Sequence, residues 1–156
     1  MVTDEATRST APVLPGVVCS PASQFRAACA MSVSVAAVPA LRRFARDSAK
    51  RWSLPTGVVD QLCLVVSELV TNVVLHSGSP DVTVLISVEN GSLTLEVRDT
   101  GRWRPRPTRR RVAEDADAAY GRGLDLVRLC SSWTRAGITP AGTRMVACLP
   151  LAAPVR

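Results

Sequence analysis

The sequence predicts an α+β fold: a two-layer sandwich with a mixed or antiparallel sheet and helices on one face. Apolar residues alternate with period two in short runs that fall in adjacent pairs, while other runs repeat every three to four residues. The order they give is strand, helix, helix, two strands, helix, two strands, which favours helices segregated to one side of a sheet. A length of 156 residues with 47% hydrophobic content suits one domain with a proper core.

Residues 1–22 mix Thr, Ser, Pro and small residues without periodicity and are expected to be a flexible N-terminal arm, with residues 23–151 as a single domain. From Gln24 to Val35, Phe25, Ala27, Cys29, Met31 and Val33 alternate as a strand. Pro39 opens a helix, because proline is tolerated in a first turn. Its inner face is Leu41, Phe44, Ala45, Ser48, Ala49 and Trp52, and Arg42, Arg43, Arg46, Lys50 and Arg51 lie outside. Leu54-Pro55-Thr56-Gly57 breaks that pattern and starts a second helix, with Thr56 as its N-cap, that runs to His76. Ser77-Gly78-Ser79-Pro80 turns the chain into a strand of Val82, Val84, Ile86 and Val88. Asn90-Gly91 between two alternating runs is a strong hairpin signal, and Leu93, Leu95 and Val97 continue into the partner strand, which ends at Arg98-Asp99.

Residues 100–120 are the least regular, with Pro105, Pro107 and six arginines from Arg102 to Arg111 ahead of Glu114, Asp115 and Asp117. A long loop inside a compact domain usually has a task. Helical character returns from Leu124 to Cys130, after Gly121-Arg122-Gly123. Trp133–Ile138 and Thr143–Leu149 form a last antiparallel pair around Thr139-Pro140-Ala141-Gly142. Trp52 and Trp133 are expected to cover core or sheet.

Composition excludes several classes. Five cysteines without a close pair argue against a zinc site or a disulfide framework, and buried thiols then act as small hydrophobes. The longest apolar runs are broken by Arg, Asp, Glu or Ser, and Asp4 and Glu5 stand where a signal peptide would be positive. A cytoplasmic protein without a membrane span is expected. The net charge of +6 leaves an acidic partner open. Direct nucleic-acid binding is not expected, since only Trp103 is interleaved with the arginines as a stacking group.

The chemistry centres on Leu62 to His76, where Glu68, Asn72 and His76 are each four residues apart and therefore share a helix face. A solvated helix edge carries such residues too. The functional reading is more specific: Asn72 offers a hard, neutral oxygen of the kind Mg²⁺ accepts, and Glu68, one turn away, is placed to take a proton near a phosphate. His76 ends the helix, where a capping or dipole role is at least as good an account as catalysis. Three glycine-bearing sites accompany this helix. Asp99-Thr100-Gly101 ends a strand, where the carboxylate can accept from an exocyclic amine such as that of adenine and Gly101 would let backbone approach a flat ring. Gly121-Arg122-Gly123-Leu124 opens a helix, exposing N–H groups that favour phosphate, with Arg122 directed there as well. Gly142-Thr143 opens the last strand and adds a hydroxyl near the base. Each alone is also a common structural turn; their order is the stronger signal.

In these motifs the sequence resembles the GHKL ATP-binding superfamily, and within it the small single-domain anti-sigma-factor serine/threonine kinases. The resemblance spans about Ala40 to Leu149. It rests on Ser67 to His76 as the N box, Asp99-Thr100-Gly101 as the first glycine box, Gly121-Arg122-Gly123-Leu124-Asp125-Leu126 as the second and Gly142-Thr143 as the last. It implies a Bergerat fold with ATP and Mg²⁺ as cofactors. Asn72 would ligate Mg²⁺, Glu68 would act as general base, Asp99 would bind the adenine amine with support from Thr143, and Gly121 and Gly123 would hold phosphate; Gly101, Arg122 and Leu124 are further cofactor-binding candidates. Residues 100–120 would be the lid, although Arg102-Trp103-Arg104-Pro105-Arg106-Pro107 follows the first glycine box with no further glycine. The implied partners are a sigma factor and an anti-sigma antagonist phosphorylated on serine or threonine, with a homodimer left open. The altered lid keeps an alternative in view, a non-catalytic ATP-gated protein-binding module.

Overall fold

A computed structural model describes residues 25–102 and 122–151. The expected N-terminal arm, most of the lid and Gly121 lie outside the described residues. The elements are β1 (Phe25–Ser32), α1 (Ala37–Arg51), α2 (Thr56–His76), β2 (Asp81–Glu89), β3 (Ser92–Asp99), α3 (Arg122–Cys130), β4 (Trp133–Thr139) and β5 (Gly142–Pro150). The five strands form one sheet in the order β1-β2-β3-β5-β4, and every neighbouring pair is antiparallel. Helices α1, α2 and α3 pack on one face, as the element order implies.

Local chemistry sets the boundaries. Helix α1 begins at Ala37, two residues before Pro39, which sits in the first turn where its missing N–H costs nothing. Its end is a Schellman motif: Leu54 N–H donates to the Ala49 carbonyl (3.1 Å) and Ser53 N–H to that of Lys50 (3.0 Å), with Ser53 left-handed at φ 54°. Thr56 is not the N-cap of α2. Pro55 holds that place in an extended conformation, its carbonyl accepting from Val58 and Val59 N–H (both 3.0 Å), and no side chain caps the end. In the β2–β3 hairpin, Asn90 (φ 50°) and Gly91 (φ 73°) form the two-residue turn that both positive angles require.

Apolar alternation fixes which sheet face meets the helices. Val82, Val84 and Ile86 on β2 stand beside Leu95 and Val97 on β3 and Ala147 on β5, all buried under Leu62, Val65, Val66, Leu69 and Val70 of α2. Truncating a fully buried leucine such as Leu62 to alanine would cost about 2–5 kcal/mol. By length and composition α2 could cross a membrane, yet nine of its residues are buried in this core and it carries Asp60 and Glu68. Trp52 stacks on Phe25 at 5.5 Å between ring centres, tying α1 to β1. Trp133, by contrast, is 49% exposed at the start of edge strand β4 and is not a core residue. Cys63 and Cys148 are buried and Cys29 and Cys130 half-buried, all as free thiols.

Candidate functional site

The inward side chains of the sheet end in a row that departs from the apolar pattern. Strand pairing sets Val82 opposite Asp99, Asp99 opposite Thr143 and Thr143 opposite Ile138. The phase that turns Leu93, Leu95 and Val97 into the core therefore turns Asp99 inward too. The residue is only 7% exposed. Burial pushes the Asp99 carboxyl above its ordinary value, against the pull of the backbone N–H groups of Gly101 and Thr143. The Gly101 N–H donates to Oδ1 at 2.9 Å. A carboxylate has about four lone-pair sites, so acceptor capacity remains.

Beside it, Thr143 Oγ1 is buried and has no hydrogen-bond partner among the described residues. Leaving a buried hydroxyl unpaired costs about 1–3 kcal/mol, so such a group calls for an explanation. Both residues open on a cavity of about 390 Å³, within the range of small-molecule sites. Asn72 and Val73 of α2, Leu124 and Val127 of α3, Ala136 of β4 and Met145 of β5 supply its other walls. Among the described residues, α3 is short and buries only Val127, which leaves part of the inner face of β4 to line the cavity.

Of the residues expected from sequence, Asn72, Asp99, Leu124 and Thr143 thus converge on one hollow, with the apolar partners Leu69, Val73, Val97, Val127 and Met145, which the sequence reading did not assign to the site. Those walls were available in principle from the strand phase and the α2 periodicity. Glu68 does not line the cavity. It stands one turn before Asn72, half-buried, against the first turn of α3, where a Cβ on Gly123 would collide with its Oε2. A carboxylate at a helix N-terminus is electrostatically favoured. Arg122 is exposed at the same helix start.

Gly101 has a packing role that the sequence did not indicate. It packs against the α2–β2 loop, where a Cβ would overlap the Ser77 carbonyl and crowd Ser79 N. Its glycine character allows the strand end to close on that loop. Gly142, at φ 142°, presses in the same way on the Asp99 carbonyl and so keeps Thr143 abreast of Asp99.

The donor set suits a purine. A ring that offers an exocyclic amine to Asp99 and a ring nitrogen to the Thr143 hydroxyl would use both polar groups, and its faces would meet the aliphatic walls.

A family model described as the histidine kinase-like ATPase domain matches residues 31–145. None of the curated proteins matches the chain. Among solved structures, that of the RsbU and RsbW domains of Rv1364c from Mycobacterium tuberculosis is similar at 18% identity and a TM-score of 0.65, over 84% of this chain and 34% of that one. The Erythrobacter litoralis EL346 blue-light activated histidine kinase is similar at 24% identity and a TM-score of 0.48, over 63% of this chain and 32% of that one. The chain spans about a third of the length of the Mycobacterium tuberculosis chain it matches, and at these identities the likeness is one of fold.

Proposed function

The chain belongs to the family of histidine kinase-like ATPase domains, and on that premise we propose that its cavity binds ATP and that the protein is a regulator of the anti-sigma kinase type. It binds a sigma factor and transfers phosphate to a serine or threonine of an anti-sigma antagonist. The observation that carries the nucleotide reading is the buried, unpartnered Thr143 hydroxyl facing the same hollow as the Asp99 carboxylate. The Mycobacterium tuberculosis structure, which joins an RsbU and an RsbW domain, supports the partner class by its shared fold.

In this reading Asp99 accepts the adenine amine, Thr143 donates to the ring, and Val73, Val97, Leu124, Val127 and Met145 exclude water from its faces. Gly121, together with Arg122 and Gly123 at the start of α3, holds phosphate through backbone N–H groups, aided by the positive end of the helix dipole. Asn72 would hold Mg²⁺ through its side-chain oxygen; the ion, when bound, neutralises phosphate charge. Glu68 takes the proton of the attacking hydroxyl as its oxygen bonds to the γ-phosphorus and the bond to the leaving ADP breaks.

The test is transfer of labelled phosphate from ATP to a serine-bearing antagonist, with titration calorimetry for binding. Glu68→Ala should keep ATP affinity and lose transfer, and Asn72→Ala should lose the Mg²⁺ dependence of binding. Transfer by Glu68→Ala at the wild-type rate would remove the catalytic assignment, and no ATP binding with Mg²⁺ present would remove the whole reading. The position of Glu68 outside the cavity lining favours a second reading, an ATP-gated protein-binding module, which tight binding with no transfer by the wild type would select.

A further inference from the structure

We propose that Ser79, in the loop between α2 and β2, is the positioning residue that aims Asp99 at the base and so sets the preference for adenine. The inference rests on the reading of the cavity as a nucleotide site.

Ser79 is 6% exposed and its hydroxyl is fully committed. Its single proton goes to the Asp81 carbonyl at 2.6 Å, so towards Thr100 it acts as acceptor, taking the backbone N–H at 3.0 Å and the Thr100 hydroxyl at 3.2 Å. Thr100 links Asp99 to Gly101, whose N–H holds Asp99 Oδ1 at 2.9 Å. A shift of Thr100 therefore moves both the carboxylate and the donor that orients it. The same loop is anchored at its other end. Ser79 N–H donates to Ser77 Oγ (3.1 Å), which donates to the Val73 carbonyl of α2 (2.9 Å). A short chain of hydrogen bonds thus ties the α2 turn that carries Asn72 and Val73 to the strand end that carries Asp99, across two walls of one cavity.

Ser79→Ala leaves the Thr100 N–H without its acceptor and frees the turn, so the loss falls on what Asp99 recognises. Calorimetry of the full chain with Mg²⁺ would compare ATP with the triphosphate of purine riboside, which lacks the 6-amino group. The wild type should prefer ATP by about tenfold or more, since a hydrogen bond to a charged group is at stake. In Ser79→Ala, shown to be folded by its melting curve, that preference should fall to about twofold or less. If Ser79→Ala does not fold, Ser79→Cys, of similar size with only a weak acceptor, is read in the same way. An unchanged preference with both affinities lowered in parallel would overturn the inference and leave the nucleotide site standing. A wild type without any preference for ATP would remove the adenine reading beneath it.

Discussion

Gly123, in the first turn of α3, lies so close to the Glu68 carboxylate on α2 that a Cβ there would collide with Glu68 Oε2. The approach brings the proposed base to the proposed phosphate end of the site without any side chain between them. Gly123→Ala is expected to separate stability from activity. Alanine favours the helix by about 0.5–1 kcal/mol over glycine, and the displaced group is the far end of a flexible side chain, so the melting temperature should hold or rise. Phosphate transfer should fall by about 10- to 100-fold, because a displacement of an ångström at a reacting group costs that much. A variant that transfers at the wild-type rate would show that Glu68 need not stand where Gly123 admits it.

Thr143→Val gives the opposite signs for folding and binding. Val and Thr have nearly the same shape, and the substitution removes a buried hydroxyl that has no partner among the described residues. Stability in urea should therefore rise, by up to about 1 kcal/mol. ATP affinity should drop about fivefold to tenfold, the worth of one hydrogen bond in a desolvated site. Loss of stability on this substitution would mean that the hydroxyl is already satisfied in the free protein.

Asp99 carries a pH dependence whose sign follows from its burial. A carboxyl raised above its ordinary value contributes stability that is complete below that value and is lost as pH rises through the raised one. Asp99→Asn keeps an oxygen for the Gly101 and Thr143 N–H groups but cannot ionise, so it should be at least as stable as the wild type at pH 7. It should also bind ATP about 10- to 100-fold more weakly, having lost the charged acceptor. In the wild type, ATP affinity should fall with acidification at a pH above the usual aspartate range, and Asp99→Asn should not show that limb. Parallel profiles for the two proteins would place the titrating group elsewhere.

How much of this was legible in sequence depends on which interaction sets each feature. The strands and their pairing followed from period-two alternation and from Asn90-Gly91, because the buried face and the turn angles are both local properties. The inward turn of Asp99 follows from the same alternation, since Leu93, Leu95 and Val97 leave it no other face. The role of Gly101 was not legible: it depends on the Ser77 carbonyl, 24 residues earlier, meeting the strand end in space. Whether Trp133 belongs to the core was not legible for a related reason, as an aromatic side chain says nothing about whether its strand lies at a sheet edge. Thr56 lost the capping position to Pro55 because the extended conformation of the proline let its carbonyl take the first helical bonds. Ser79 passed as a turn residue, and only the geometry of the three hydrogen bonds made by its hydroxyl marks it out.

Glu96 offers a test of the sheet's far face that is independent of any ligand. It pairs with Arg98, and Arg144 grips it in a two-pronged bond, Nε to Oε1 at 2.7 Å and a terminal nitrogen to Oε2 at 2.8 Å, bracing β3 against β5. The Arg144 hydrogen bonds hold the Glu96 carboxyl down at about 2, against the opposing effect of burial. A depressed carboxyl contributes stability that is present above its ordinary value of 4.5 and is lost as pH falls towards 2. Both arginines are about half exposed, so water screens the pair, and its worth at pH 7 is about 1 kcal/mol. Glu96→Gln should thus shift the urea midpoint down at pH 7, and the two proteins should converge as the pH approaches 2. A gap of the same size at both pH values would mean that Glu96 stabilises the sheet by packing, with its charge contributing nothing.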